Sequence, residues 1–533
     1  MAERRTLRRT VALTLLAAGL ALNGLGWWGL SRARGGIDVT LRQEPTPHGP
    51  MPVAVYTPHG GGSPDAPAVI VIHGFAGSKE LMRPFGVYLA QSGHRAYLVD
   101  VSGHGHNPAL LQRTGAPDDI EVLINDLVAS GEARPERIAL VGHSMGTYIA
   151  AETARRDQRV AATVLFSSIT DQIEPGRPRN VLLLAADRDL ATVRSTFQKV
   201  LANAGQSPLP AASPAFPGQD LRQGRAVTGI RVPGRNHITI LYDAAALTDI
   251  GRWLDLTFGP NGPEPRPDPR RATALGWGFT LVAGALLVFL GAAAGLAGVV
   301  PGYALAGTAA PRPYLWPLLY LLAGGVAIVV GAYFHPLSAL RLMVSDYLSF
   351  YLFVLFAVLE IVRHLFQPAL VQQAHANLDP VRGRPSFLYG LLIFSLFFVL
   401  LGPTLTATFT NALPIGPRAW RAAVLLVFLL PFSLIDENLR AAVHSQYGPL
   451  AAFLLSFLGK LVIAATWVAS LKLPGSASFV LIAMPVLLGI LALLDAVTTI
   501  LFTWRRESMS LGLFKALTLA WVLAVSFPMG TGF

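Results

Sequence analysis

Cysteine is absent from the 533 residues. That excludes disulfides, thiolate metal sites and a cysteine nucleophile, and leaves the compartment unspecified. Charge is scarce as well: charged residues make up 14% of the chain, hydrophobic ones 52%, and the mean hydropathy is +0.48. Ordinary soluble domains carry about a quarter charged residues, so this balance points to a membrane protein. Lysine is rarer still. Five of the 42 basic residues are lysine and the rest arginine, with a net charge of +11. Such an excess suits nucleic acid or anionic lipid. The plainer reading is arginine at loop ends, where it orients transmembrane helices, on top of a general bias toward Arg, Ala, Gly and Pro, and no basic run alternates with the aromatics a nucleic-acid groove needs. The charge therefore reads as a topology signal, with a lipid bilayer as partner and no nucleic acid.

What is present falls into parts too different for one core. Residues 1–36 hold an Arg-rich start, "MAERRTLRRT", then the uncharged run Val11 to Leu30, long enough to span about 30 Å of hydrocarbon. A cleaved signal peptide would be shorter and end at a small-x-small site. This run ends in Trp27-Trp28 and reads as an uncleaved signal anchor. Across 37–258, short β-branched runs ("APAVIVIHG", "HRAYLVDV", "RIALVGHS", "VAATVLFSS", "NVLLLAAD") alternate with helical stretches. That pattern predicts a mostly parallel sheet with helices on both faces. Residues 259–271, "GPNGPEPRPDPRR", form a Pro-rich linker expected to hold no helix. The remainder, 272–533, contains eight apolar stretches, near 272–300, 314–335, 343–366, 386–409, 419–435, 448–471, 476–504 and 509–528. An all-α transmembrane bundle is expected, with 419–435 half-inserted or broken at Pro431. With the N-terminus cytoplasmic, the loops carrying Arg363, Arg382, Arg384, Arg440, Arg505 and Arg506 fall inside and the 37–258 domain outside. Arg32, Arg34, Arg270, Arg271, Arg418 and Arg421 count against that orientation.

Within 37–258 one pentapeptide carries chemistry: Gly142-His143-Ser144-Met145-Gly146, between the strand "RIALV" and the helix "TYIAAETARR". A sharp strand-to-helix turn needs small residues two before and two after the serine. It lifts the hydroxyl above the sheet edge, where the helix N-terminus favours developing negative charge. A nucleophilic serine needs a base, and the base an orienting acid. Downstream, "NVLLLAADRDLATV" ends a strand in Asp187 and Asp189, and "TGIRVPGRNHITIL" places His237 just after another. Ser144, an aspartate and His237 thus follow one another in the chain, each past a strand's carboxyl end. His73, His104 and His106 suggest a metal, but none has a second ligand at i+4 on a shared helix; no metal and no cofactor is expected.

The blocks "VIVIHGFAGSKE", "YLVDVSGHGHNP", "GHSMG" and the Asp and His segments together resemble the α/β-hydrolase superfamily, especially its esterase, lipase and dienelactone-hydrolase-like members. The resemblance covers residues 50–258. It implies Asp189 as the acid, three residues after Ala186, with Asp187 the alternative. It implies backbone amides of Phe75 and Met145 as the oxyanion hole, and His143 as a structural residue pointing away from the nucleophile. Soluble relatives often carry a helical cap after the strand following the elbow helix. Only "TDQIEPGRPR" occupies that place here, so the cleft is expected to lack a lid. The stretch 205–226, "GQSPLPAASPAFPGQDLRQGRA", and the bundle are then expected to form an acyl-binding wall.

The resulting expectation is a multi-pass membrane serine hydrolase that cleaves carboxylic esters of lipid-like or apolar substrates through an acyl-enzyme on Ser144. Acyl transfer by the same residues is one alternative. A transporter or scaffold with a regulatory hydrolase-like domain is another, and the bundle is the surface through which a homo-oligomer would form. In the bundle, Asp346, Glu360, Lys460, Asp495, Asp436 and Glu437 are candidates for function. Lys460 and Asp495 differ in depth by about 10 Å at helical rise, which predicts no direct contact between them.

Overall fold

A computed structural model describes residues 2–112, 114–174, 176–211, 221–260, 267–300, 315–334, 336–366, 380–470 and 480–530. The first part is a nine-stranded sheet: β1 (Ile37–Thr46), β2 (Gly49–Pro58), β3 (Ala68–Ile72), β4 (Arg95–Val99), β5 (Ile138–His143), β6 (Val160–Phe166), β7 (Val181–Ala186), β8 (Leu209–Pro210) and β9 (Val227–Val232). The strand order is β1-β2-β4-β3-β5-β6-β7-β9-β8, antiparallel only where β2 meets β1 and β4. The β1–β2 hairpin was not foreseen; β1 is polar and half-exposed, so it lacks the apolar run that marks the buried strands.

β3 shows why such runs become central strands. All five residues are fully buried. Val69 and Val71 face the cluster holding Phe85, Ile250 and Trp253, while Ala68, Ile70 and Ile72 face that holding Ile120, Ile149 and Leu201. Alternate side chains thus enter two layers. The first is covered by α2 (Arg83–Gln91) and α6 (Ala244–Phe258), the second by α3 (Ala116–Ala129), α4 (Met145–Arg156) and α5 (Ala191–Asn203). The chain runs from β3 to β4 on one side and returns to β5 on the other. The order therefore reverses between β3 and β5, where open α/β sheets form their crevice.

α1 (Ala2–Ala33) packs along α8 (Leu275–Val299) through small residues: a Cβ on Gly19 would meet the Gly284 carbonyl at 2.8 Å, and one on Gly291 the Ala12 carbonyl at 2.7 Å. Only such residues let two backbones approach this closely. Between α6 and α8 lies the expected linker. Residues 261–266 are outside the described residues, but 269–271 open a short helix, α7 (Pro269–Thr273), contrary to expectation. Pro269 occupies the first turn, where no N–H is needed, and Asp268 caps it by accepting from the Arg270 N–H at 2.9 Å.

The remaining helices are α9 (Trp316–Tyr333), α10 (Ser345–Phe366), α11 (Pro380–Thr408), α12 (Pro417–Tyr447), α13 (Pro449–Ser470), α14 (Val480–Arg505) and α15 (Met509–Ser526). Among the described residues, nine helices are long and apolar enough to cross a membrane, by length and composition. Two expectations are corrected here. The stretch 419–435 is neither broken nor short. It is the N-terminal part of the 31-residue α12, which runs through Pro431 and goes on past 435, where Asp436, Glu437 and Arg440 are buried and paired. Lys460 and Asp495 do meet, with Lys460 Nζ 3.3 Å from Asp495 Oδ2. Asp495 lies level with Ser456, whose hydroxyl it accepts at 2.8 Å, and the lysine side chain bridges the remaining helical turn.

Candidate active site

Ser144 stands beside the reversal of strand order, and Asp189 and His237 stand past the ends of strands on the same side of it. Ser144 follows β5 and precedes α4 with φ 51° and ψ −115°, a sparsely populated conformation that costs about 1–3 kcal/mol. The flanking glycines are obligatory by packing. A Cβ on Gly142 would stand 2.3 Å from the Gly146 carbonyl oxygen, and one on Gly146 2.4 Å from that of Ile72. The turn is fixed by the Ser144 N–H donating to the Phe166 carbonyl at 2.9 Å, and by Thr147, whose N–H and hydroxyl both donate to the Ser144 carbonyl. Ser144 is half-buried.

Asp189 follows β7 and His237 follows β9. His237 Nδ1 donates to Asp189 Oδ1 at 2.7 Å, leaving Nε2 for a reacting group. Asp189 also accepts from the Ser167 hydroxyl at 2.5 Å and from the Leu190 N–H at 2.8 Å. Burial disfavours its charge, but the His237 bond and charge, with Ser167 and Leu190, outweigh it and hold its pKa below the ordinary value. Asp187, the alternative acid, makes no hydrogen bond to His237: its N–H bonds the Val232 carbonyl, and one of its carboxylate oxygens is buried without a partner.

His143, directly before the serine, is buried, and its Nε2 donates to the His237 carbonyl at 2.9 Å. The two rings lie 5.0 Å apart. It thus ties the His237 loop to the elbow, and burial, with the nearby His237, lowers its pKa to about 3. No hydrogen bond joins the Ser144 hydroxyl to the His237 ring; such contacts commonly tighten only with substrate bound.

Met145 is the first residue of α4, so its N–H is a first-turn donor without an intrahelical acceptor. Phe75 lies in the loop after β3, two residues past His73, its ring edge-on to His104 at 5.8 Å. Of the three histidines that suggested a metal, His73 accepts the Val101 N–H and donates from Nδ1 to the Gly74 carbonyl. His104 donates from Nδ1 to the Ser102 carbonyl. Burial keeps both neutral, with pKa values below the ordinary imidazole range. His106 Nδ1 is 3.2 Å from Lys79 Nζ. These contacts describe loop scaffolding.

Sequence reasoning missed Ser167. It follows β6, the strand lying between those that carry Ser144 and Asp189. The only signal was its place after "VLF", which becomes informative once the strand order is known. From 167 to 180 the described residues form no helix, and of the 205–226 stretch residues 212–220 lie outside the described residues.

Residues 67–236 match the family described as alpha/beta hydrolase fold. An uncharacterized protein of Mycobacterium tuberculosis is 32% identical over 158 residues, 28% of this chain and 56% of that protein. Esterase PIR7B of Oryza sativa subsp. japonica is 31% identical over 100 residues, 19% of this chain and 37% of the esterase. The chain thus spans about half or less of the length of the curated relatives it matches. Among solved structures, a Pyrococcus furiosus esterase superposes with TM-score 0.33 at 14% identity, covering 42% of this chain and 94% of that one. The sheet region is an α/β-hydrolase domain, followed by a region of long apolar helices.

Proposed function

We propose that the chain is a membrane-integrated serine hydrolase that cleaves carboxylic esters of apolar, lipid-like molecules. Ser144 attacks the carbonyl, His237 takes its proton and later activates water, and Asp189 orients the imidazolium. The amides of Phe75 and Met145 hold the oxyanion. The observation that carries this reading is the 2.7 Å bond from His237 to Asp189, beside a serine held at positive φ between two obligatory glycines. An apolar substrate is favoured by Ile169 and Ile238, exposed beside the elbow and the histidine, where the described residues of 167–180 form no cap helix.

Membrane integration rests on the nine apolar helices and on outward-facing apolar residues such as Leu318, Leu322, Val326 and Val329, which follow one another at helical spacing along α9. The division into an anchor at 1–36, a hydrolase domain at 37–258 and a bundle at 272–533 belongs to the same proposal, with the hydrolase domain outside the cytoplasm. Three arginines that count against this orientation have structural work on the hydrolase side: Arg34 bonds the Ala407 carbonyl, Arg421 that of Leu340, and Arg418 four others.

One feature favours a transport reading as a second possibility for the bundle. Asp436, Glu437, Asp495, Arg440, Lys460 and Lys515 are each at most 3% exposed, and a crevice lined by Trp316, Tyr320 and Ser456 reaches Asp436 and Arg440. The deciding experiment treats membranes holding wild type or Ser144→Ala with a fluorophosphonate probe, then with a panel of esters of increasing chain length. Labelling and turnover that vanish in Ser144→Ala, with free acid as product, are expected. An acylated acceptor in place of free acid would mean acyl transfer. Unlabelled wild type would sink the hydrolase reading.

A further inference from the structure

Two loops bracket the proposed oxyanion hole on its β3 and β4 side: residues 74–82, which contain Phe75, and 100–111, which contain His104. Asp100 binds them together. It accepts from the Lys79 N–H at 2.7 Å, from Lys79 Nζ at 2.6 Å and from the His106 N–H at 2.9 Å. His104 completes the link, its ring 5.0 Å from that of His73 and edge-on to that of Phe75. Both loops also rest on the helical region. The Asn411 N–H donates to the Ser78 hydroxyl at 3.2 Å, Arg83 donates to the Thr406 and Ala407 carbonyls, and Ala76 and Leu110 pack against the helical core.

Arg418, at the start of α12, stands at the centre of this junction. Its guanidinium, 2% exposed, donates to the Gly103 carbonyl at 2.7 Å and the Gly105 carbonyl at 3.2 Å, on either side of His104. It also donates to the Ala524 and Phe527 carbonyls at 2.7 and 2.8 Å, at the end of α15. A short backbone clamp reinforces it: the Met529 N–H donates to the Gly103 carbonyl at 2.8 Å, and the Leu111 N–H to the Met529 carbonyl at 2.7 Å. Gly103 has φ 79°, and a Cβ there would stand 2.6 Å from the Met529 carbonyl oxygen, so no other residue fits the clamp unchanged. A guanidinium is suited to this place. Its donors lie in a rigid plane, so one side chain can fix several carbonyls on two elements, whereas an ammonium offers a single point of charge.

We infer that Arg418 is a positioning residue for the oxyanion hole. From within the helical region it holds the loop on which His104, and through it Phe75, depends, so the hydrolase site is complete only with the helices docked beneath it. This rests on the proposed serine mechanism for its catalytic consequence, but not for the coupling itself.

The test uses the full chain in detergent with p-nitrophenyl butyrate, and compares Arg418→Met, Arg418→Lys and Arg421→Met. Arg421 sits one turn along the same helix and bonds the carbonyls of Leu340 and Pro417, touching neither loop. A displacement of about 1 Å in a catalytic group can cost on the order of 100-fold. Arg418→Met is therefore expected to lower kcat by about 10- to 100-fold with KM nearly unchanged. Arg418→Lys should recover part of the loss and Arg421→Met should match wild type in kcat. In parallel, amide hydrogen exchange of residues 74–80 and 101–107 should speed up in Arg418→Met and not in Arg421→Met. Unchanged exchange in those segments, or equal kcat losses in the Arg418→Met and Arg421→Met proteins, would overturn the inference. If Arg418→Met yields no folded protein, Arg418→Lys carries both readouts. A wild type that neither labels nor turns over any ester would defeat the serine-hydrolase reading, while the exchange data still decide whether Arg418 holds the loops.

Discussion

The sheet domain and the helical region bury charge in opposite ways. In the sheet domain, Asp189 and Asp100 sit at strand ends and are satisfied largely by neighbours on the loops that follow: backbone N–H groups, a serine, a histidine, a lysine. In the helical region, three carboxylates and three cations on four helices satisfy one another. Lys515 contacts Asp436, Glu437 and Asp495; Lys460 contacts Asp436 and Asp495; Arg440 contacts Glu437. The first arrangement fixes one reactive group in one geometry. The second ties four helices together and leaves no net charge within that cluster. Charge loss should therefore strike activity in one region and stability in the other.

The largest effect is expected from Asp189→Asn. An asparagine that turns its NH2 toward Nδ1 donates where the carboxylate accepts and leaves His237 in the wrong tautomer, and it carries no charge to stabilise the imidazolium. Comparable changes in serine hydrolases lower kcat by about 10⁴-fold. Thermal unfolding of the variant should stay close to wild type. A kcat within tenfold of wild type would remove Asp189 from the mechanism and end this side of the contrast.

Next comes Lys515→Met, with the opposite signature. Removing one partner of a buried ion pair strands the others and typically destabilises by about 3–5 kcal/mol. Unfolding in detergent should shift accordingly, while kcat of the folded fraction stays within about threefold. Adding Asp495→Asn returns the cluster to equal numbers of positive and negative groups and should recover much of the loss. Loss of ester turnover in Lys515→Met at full stability would show that the two regions are not separable in this way, and would favour a transport-coupled role for the bundle.

The same contrast explains what could be read from the chain. The placement of Ser144, Asp189 and His237 past strand ends was legible because each follows an apolar strand and the elbow glycines are close in sequence. Asp189 was separated from Asp187 only by a resemblance until the His237 bond was seen. Ser167 and the partner of His143 were not legible, although a structural role for His143 was, since both depend on strand order: β6 lies between the strands that carry Ser144 and Asp189, and β9 brings the His237 carbonyl over His143. In the helical region the long apolar helices were legible from hydropathy, but the pairing of Asp436, Lys460, Asp495 and Lys515 was not. Helical depth counted along one axis omits the reach of a lysine side chain and the partner on a fourth helix. Where α12 ends was misjudged for the same reason: Asp436, Glu437 and Arg440 look like a polar exit from an apolar run, yet they are core residues.

The smallest effect concerns protons in the sheet domain. His73, His104 and His143 are 0–2% exposed, and burial depresses the pKa of each below the ordinary value of 6.5, that of His143 to about 3. As pH falls below 6.5 the unfolded chain takes up protons that the folded sheet does not. Stability is therefore full above about pH 6.5 and declines on acidification, by about 1.4 kcal/mol per pH unit for His143, whose folded pKa lies well below the range tested. Denaturant titrations of the full chain at pH 7, 6 and 5, read by exchange protection of residues 138–143, should show this decline. His143→Gln keeps an amide donor for the His237 carbonyl but cannot titrate, so its decline should be shallower by about one histidine's share. An identical pH slope in wild type and His143→Gln would mean that the ring beside the elbow is not held neutral by burial. The sheet domain's way of handling charge would then differ less from that of the helices than its geometry implies.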